Sequence, residues 1–177
     1  MEAVIRRLGA EEIDRALFRS FVRRQVVNDC LRREAGEWVV RADPFIDDWS
    51  EADYAELICC LRNTVMSKGG VWGAFVSGEL KGFASVEGEP LGSRLQYMDL
   101  SCIHVSQDMR HRGIGRALFE EASCFARARG AHKLYISAHS AVESQAFYQA
   151  MGCVDAEEIQ RGHAEKEPFD RQLECAL

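Results

Sequence analysis

The sequence has no apolar run approaching the roughly 20 residues of a membrane-spanning helix. Only three of its 177 residues are proline, and its 14 glycines follow no period, which excludes a collagenous or linker-like chain. The N-terminal stretch MEAVIRRLGAEEIDR lacks an apolar core and a small-residue cleavage site, so no secretory leader is expected. A basic excess is also missing. The 22 Lys and Arg are outnumbered by 28 Asp and Glu, which argues against a nucleic-acid partner. The seven cysteines include no CxxC pair and no histidine at metal spacing, so neither a disulfide framework nor a zinc site is expected. Buried free thiols in a reducing, cytoplasmic setting are the expectation. No repeat or low-complexity segment appears.

What is present is a chain 47% apolar, long enough for one domain with a core and too short for two. Its charge is uneven. Between Met109 and Lys133 six bases face two acids, whereas from Glu143 to Leu177 eight acids face three bases. The first region suits a phosphorylated ligand and the second a cation.

Periodicity predicts a strand over Ala3 to Arg7 and a helix from Glu11 to about Val27, with Ile13, Leu17, Phe18, Phe21 and Val22 on one side. Asn28 to Trp49 fits no single period and carries a turn signal at Asp43-Pro44. Ser50 with Asp53 is a capping-box pattern opening a helix that ends at Gly69-Gly70. A hairpin follows over Val71–Val76 and Leu80–Val86, and then a long strand from Leu95 to Val105. Arg112 to Arg129 reads as a helix, Lys133 to Ala138 as a strand buried on both faces, and Val142 to Met151 as a short helix. Cys153–Ile159 and Gln172–Leu177 read as final strands. This order fits an α/β (α+β) domain, a mixed sheet with helices on both faces.

Arg110-His111-Arg112-Gly113-Ile114-Gly115-Arg116 lies between a strand and a helix. A helix's first turn offers free N–H groups and the positive end of its dipole, and glycines let a pyrophosphate approach the backbone. A Walker P-loop would need Gly-Lys followed by Ser or Thr, which is absent. A dinucleotide fingerprint would need a third glycine where Leu118 stands.

Further on, Phe147-Tyr148 occupies a short helix stopped by Gly152. With Arg110-His-Arg-Gly113-Ile-Gly115 ahead of it, the sequence resembles the GNAT superfamily of N-acetyltransferases over roughly Val71 to Cys153. The resemblance implies one N-acetyltransferase domain over residues 1–177. Within it, 1–70 would form an acceptor side, 71–153 an acetyl-CoA-binding core and 154–177 the last strands. It also implies a mostly antiparallel central sheet containing a splayed parallel pair, Leu95–Val105 and Lys133–Ala138. The pyrophosphate of acetyl-CoA would lie on the amides from His111 to Arg116, with Arg110, Arg112 and Arg116 adding charge. The pantetheine arm would run along Ile103, His104 and Val105, with Phe147 beside it. Ser140 or the backbone would stand in for the asparagine often found ahead of the Phe-Tyr helix.

By the same resemblance Tyr148 would assist the departing thiolate and Asp99 would be the base or relay. Simple alternation puts Asp99, Ser101, Ile103 and Val105 on one strand face and His104 on the other. Asp99 has a second reading, as an acceptor for the Gly88–Ser93 loop. His139 and Glu143 would reach the acceptor mouth. Trp38, Phe45, Asp47, Asp48 and Trp49, with His163, Glu165 and Glu167, would surround a small cationic amine. An open groove would suit a protein acceptor instead, whereas Trp38 and Trp49 closing the mouth would suit a small molecule. A CoA-binding sensor without turnover and an interaction domain that binds no CoA are the other readings. The chain would be a monomer or a homodimer.

Overall fold

The structure, a computed structural model, describes residues 3–177. Nine strands and four α-helices follow in order: β1 (Val4–Arg7), β2 (Arg24–Glu34), β3 (Glu37–Asp48), α1 (Glu51–Met66), β4 (Gly70–Val76), β5 (Glu79–Val86), β6 (Tyr97–Val105), α2 (Ile114–Ala128), β7 (Lys133–Ala138), α3 (Val142–Ala150), β8 (Val154–Asp155), α4 (Arg161–Lys166) and β9 (Arg171–Ala176). Seven strands form one sheet in the order β1-β4-β5-β6-β7-β9-β8, and β2 and β3 form a separate antiparallel ribbon. All pairings in the large sheet are antiparallel except β6 with β7.

Helices cover both faces. On one, Leu118, Phe119 and Ala122 of α2 pack on Trp72, Ala84, Leu100 and Ile136. On the other, Tyr54, Leu57 and Leu61 of α1 pack with Phe18, Phe21, Leu80 and Phe83. The Ser50–Asp53 capping box forms as its spacing predicts, with the Ser50 N–H donating to Asp53 Oδ2 at 2.7 Å. Among the described residues no helix is long and apolar enough to cross a membrane.

The segment from Glu11 to Val27 corrects the sequence reading. Only one 3₁₀ turn forms, Ala10–Glu12, and the chain continues in turns until β2 begins at Arg24. Ile13, Phe18 and Phe21 are still buried and Leu17 partly so, whereas Val22 is exposed, so the apolar spacing reports burial at most of its positions rather than helix. An Asp14 carboxylate accepts the Leu17 N–H at 2.8 Å, a local bond that competes with helix continuation. Val26 and Val27 then pair with Ile46 and Phe45.

Asn28 to Trp49, which showed no period, is most of the β2–β3 ribbon. Ala35 and Gly36, both with positive φ (49° and 90°), make its turn. The Asp43-Pro44 turn signal falls inside β3. The register shifts between Val27 and Asp29, where an extra residue on β3 forms a bulge that tolerates a proline without an N–H. Of the strand expected over Cys153–Ile159 only Val154–Asp155 forms, extended by one bond from the Ala156 N–H to Gln172 O. The loop after it contains α4, whose six residues are too few to show a period.

Two features of β6 position the site. It pairs with β7 only at Tyr97–Lys133, Met98–Leu134 and Asp99–Tyr135, after which the strands diverge as β6 runs on to Val105 and β7 to Ala138. The result is a V with Asp99 at its apex. In addition, β6 carries a bulge at Ser101, since Val86 pairs with Leu100 while Ser85 pairs with Cys102. One extra residue reverses the alternation. Met98 and Leu100 therefore share the α2 face with Ile103 and Val105. Asp99 falls on the α1 face with Cys102 and His104, the reverse of what simple alternation predicts for Ile103, Val105 and His104.

Candidate active site

At the open end of the V, β6 leads through a 3₁₀ turn, Gln107–Met109, to the glycine segment. His111 (φ 60°) and Gly113 (φ 81°) adopt left-handed backbone, and α2 starts on Gly113 with no side-chain cap. The Ala117 N–H is the first to bond back, to Gly113 O at 3.1 Å. The amides of Ile114, Gly115 and Arg116 are thus left without intrahelical partners, a cradle for an anion at the positive end of the dipole. Gly115 permits a close approach, because a Cβ there would lie 3.1 Å from the Phe147 ring and 3.7 Å from Val105. Phe147 in turn meets Phe119 edge to face at 6.3 Å.

The three arginines part ways. Arg112 and Arg116 are exposed on the rim. Arg110 turns inward, its Nη2 donating to Arg24 O at 2.8 Å and its Nε to Val105 O at 3.3 Å. It fastens the start of β2 to the end of β6. Ser106 Oγ accepts the Val22 N–H at 2.9 Å, strengthening that junction. Farther along β2, the Leu31 N–H donates to Ser140 O at 2.8 Å, Arg32 Nη1 donates to Ser140 Oγ at 2.8 Å, and Cys30 bridges Ala141. Strand β2 therefore crosses the mouth of the V from the end of β6 to the end of β7. Ser140 is turned to this strand, with its hydroxyl and carbonyl both engaged there.

Tyr148 is buried on the α2 face of the sheet beside Cys153, and burial pushes its phenol pKa up. On the opposite face Asp99, 5% exposed, accepts a hydrogen bond on Oδ2 from His163 Nε2 of α4 at 2.8 Å. Its Oδ1 is buried with no hydrogen-bond partner among the described residues. The partner is His163 rather than the Gly88–Ser93 loop, whose Ser93 binds Glu158 instead. The Asp99 hydrogen bond raises the His163 pKa against the opposing effect of burial; Asp170 adds to the rise and Lys166 opposes it.

Behind the pair runs a polar chain. The Gln160 N–H donates to Tyr135 Oη (3.0 Å), Tyr135 Oη to Gln172 Oε1 (2.5 Å), Gln172 Nε2 to Ser137 Oγ (2.9 Å) and Ser137 Oγ to Asp170 Oδ2 (3.2 Å). The His163 ring lies over Tyr135 with centroids 5.6 Å apart. Burial raises the Asp170 pKa, partly offset by His139. His139 meets Phe45 of β3 at 5.8 Å. Sequence reasoning named His163 only as a neighbour of the acceptor. Its link to Asp99 has no sequence signal, because 64 residues separate the two and α4 is too short to read.

The remaining expected acceptor residues scatter. Trp49 packs in the core against Tyr54 and His104, and Trp38 is flanked by the guanidiniums of Arg33 and Arg171. Neither closes the mouth. Asp47 is paired with the buried Arg23. Asp48, Glu143, Glu165 and Glu167 are exposed.

His104 packs between Trp49 and Phe83, and burial, reinforced by Arg23, His139 and Arg110, lowers its pKa to about 3. Between pH 6.5 and about 3 the unfolded chain binds a proton here that the folded chain refuses, so stability falls as pH drops through that window. The melting temperature should therefore fall by a few degrees between pH 7 and 5. In His104→Phe, which keeps the ring packing, that part of the fall should vanish. An unchanged pH profile would contradict this account of His104.

Among the described residues no cluster of His, Cys, Asp or Glu is arranged to hold a metal ion.

No curated protein matches the sequence. The sequence profile of the acetyltransferase (GNAT) family matches residues 34–153. Among solved structures, a candidate streptothricin acetyltransferase from Bacillus anthracis str. Ames, in complex with acetyl coenzyme A, superposes with TM-score 0.72 at 18% identity, covering 100% of this chain and 99% of that one. Nourseothricin acetyltransferase gives 0.68 at 16% identity over 98% and 96%. The PaiA N-acetyltransferase of Thermoplasma acidophilum, in complex with coenzyme A, gives 0.61 at 14% identity over 100% of both chains. The profile spans about two-thirds of the chain and takes in the V, the glycine segment and the Phe147-Tyr148 helix, and on that ground the chain belongs to the GNAT family of acetyltransferases, enzymes whose co-substrate is acetyl-CoA.

Proposed function

We propose that this acetyltransferase moves the acetyl group of acetyl-CoA to a primary amine of a small cationic molecule, by direct attack in a ternary complex. The observation that carries the reading is β2, fastened to both arms of the V by Arg110–Arg24 and Ser140–Leu31. A roof over the mouth leaves room for a compact acceptor, whereas a lysine within a protein would need an open groove. The acceptor's charge follows from what faces the mouth. Asp170 is a carboxylate beside the open end of β7, Asp99 is one deeper at the apex, and Phe45 offers a ring at the edge. The streptothricin and nourseothricin acetyltransferases among the structural neighbours support the small-molecule class by analogy of fold alone.

The anion cradle at Ile114–Arg116 holds the pyrophosphate, with Arg112 and Arg116 at its rim. The backbone of Ile103, His104 and Val105, beyond the last pair with β7, takes the pantetheine arm as a partial added strand. A backbone N–H near Val105 polarises the acetyl carbonyl. An ammonium has no lone pair, so the acceptor first gives a proton to the Asp99–His163 pair. The amine nitrogen then bonds to the acetyl carbon, the C–S bond breaks with its electron pair staying on sulfur, and the second proton lost by the nitrogen passes to that sulfur, leaving a neutral amide and the CoA thiol. Tyr148, across the sheet, donates a hydrogen bond to that sulfur.

The test is thiol release from acetyl-CoA with a panel of polyamines, aminoglycosides, streptothricin-type antibiotics, amino acids and a lysine peptide. Turnover is expected with one cationic small-molecule class and not with the peptide. Turnover confined to the peptide would overturn the proposal. The cradle is tested separately. Gly113→Ala meets no steric neighbour, so its cost is the positive φ alone, about 1–2 kcal/mol. If that strain is relieved by shifting the loop, the KM for acetyl-CoA should rise about tenfold. A lower melting temperature with unchanged KM would remove the cradle from the binding site.

A further inference from the structure

We propose that Cys153 and Cys175 form an oxidisable dithiol, a modification site at which peroxide closes a cross-strand disulfide between the Tyr148 helix and the last strand. Geometry carries this. Strands β8 and β9 pair as Val154–Glu174 and Asp155–Leu173, and the same register carried back one residue sets Cys153 opposite Cys175. The Ala156 N–H donates to Gln172 O at 3.0 Å, marking 156/172 as a hydrogen-bonded pair. By alternation 154/174 is the next such pair, and 153/175 is a non-hydrogen-bonded one. Residues in that position have Cα atoms about 4.5 Å apart and side chains on the same face. That spacing lies within the range a disulfide spans. Both side chains are buried in the same cluster as free thiols.

Cys175 is also reachable. It lines an open surface pocket of about 270 Å³ with Arg116, Arg127 and Met151. A hydrogen bond from the Cys153 thiol favours the Cys175 thiolate and lowers its pKa against the effect of burial. The residue is only 7% exposed, so the pocket is the route by which a small oxidant meets it.

The chemistry balances with one peroxide. The Cys175 sulfur attacks a peroxide oxygen, an S–O bond forms, the O–O bond breaks, and one water leaves. The Cys153 sulfur then attacks the sulfenic sulfur, the S–S bond forms, and the second oxygen leaves as water with the remaining thiol proton. Two sulfurs are oxidised by two electrons in all, and one peroxide is reduced to two waters.

Placement gives the bond a consequence. Cys153 caps α3, its N–H donating to Tyr148 O at 3.0 Å, and the Cys175 thiol reaches Met151 O at 3.6 Å. The chain between the two cysteines carries His163 and Asp170. The disulfide would close that segment into a loop and tie it to the helix bearing Tyr148.

The background for the test is Cys59→Ser/Cys60→Ser/Cys124→Ser, which removes the three exposed thiols. The folded protein is treated with hydrogen peroxide, digested without reduction and mapped by mass spectrometry. A Cys153–Cys175 peptide pair, 2 Da lighter than the two thiols, is expected, with a melting temperature about 5–10 °C higher that reverts with dithiothreitol. Cys153→Ala and Cys175→Ala should each melt cooperatively when reduced and lose the peroxide-dependent rise. Sulfinic acid at Cys175 without cross-linking would overturn the proposal, as would thiols left intact in the folded protein. In the unmodified chain, a Cys124–Cys175 bond would do the same, since Cys124 lines the same pocket.

Discussion

Asp99→Asn should lower kcat/KM for the amine by about 10²- to 10³-fold and move the acidic limb of its pH profile to lower pH. The magnitude is what a positioned base contributes. The sign follows from the pair. On the proposed mechanism His163 accepts the acceptor's proton only when neutral, so activity should rise with pH through the His163 pKa. The carboxylate at 2.8 Å holds that pKa above its usual 6.5. An amide still accepts the Nε2–H but carries no charge, and burial and Lys166 then pull the pKa down while Asp170 alone opposes them. The limb therefore shifts toward acid as the plateau falls. A merely structural role would lower the melting temperature without moving the limb.

His163→Gln tests the same unit from its other end. If the two residues act together, the double variant loses little more than either single one. Additive losses would separate their roles. A full plateau in Asp99→Asn would remove Asp99 from catalysis and leave the acceptor to arrive already neutral.

The contrast between these two residues shows what the sequence can express. Asp99 is an acid inside an apolar strand, and that is visible as a local anomaly. His163 is one histidine in a polar stretch, and only the return of β9 beside β7 brings its loop over the apex of the V. The face of Asp99 was unreadable for a different reason. Alternation predicts faces only while the ladder is regular, and the bulge at Ser101 leaves no composition signal.

Where local physics dominates, reading worked well. The Ser50 cap, the Gly113–Gly115 turn and the Lys133–Ala138 strand each depend on neighbours in sequence. The largest failures of element assignment lie in the first 50 residues. There the burial of Ile13, Phe18 and Phe21 against α1 and β5 is tertiary, and it copies helical spacing without a helix. The ribbon was obscured because β2 and β3 expose much of their apolar surface, including Val26, Val40 and Ile46, so neither strand shows a clean buried face.

Tyr148→Phe should reduce kcat about 10²-fold while leaving the KM for acetyl-CoA within about twofold. Truncating one hydroxyl removes a donor that matters only as charge grows on sulfur, and a single such donor contributes about 10²–10³. KM holds because the ring, not the hydroxyl, is what packs against Phe147 at 5.2 Å and fills the cluster. The raised phenol pKa decides how Tyr148 acts. An ordinary thiol has a pKa near 8.5. A phenol above 10 that is pushed higher by burial is the weaker acid, so handing its proton over completely is uphill. In the proposed mechanism Tyr148 therefore stabilises the thiolate by a hydrogen bond and keeps its proton, and the rate should show no basic limb from Tyr148 below pH 10. Two observations would contradict this. One is a wild-type rate that falls above pH 9 where Tyr148→Phe does not. The other is an equal loss in kcat with acyl donors whose thiols are far more acidic, because a better leaving group needs less help and the defect should shrink.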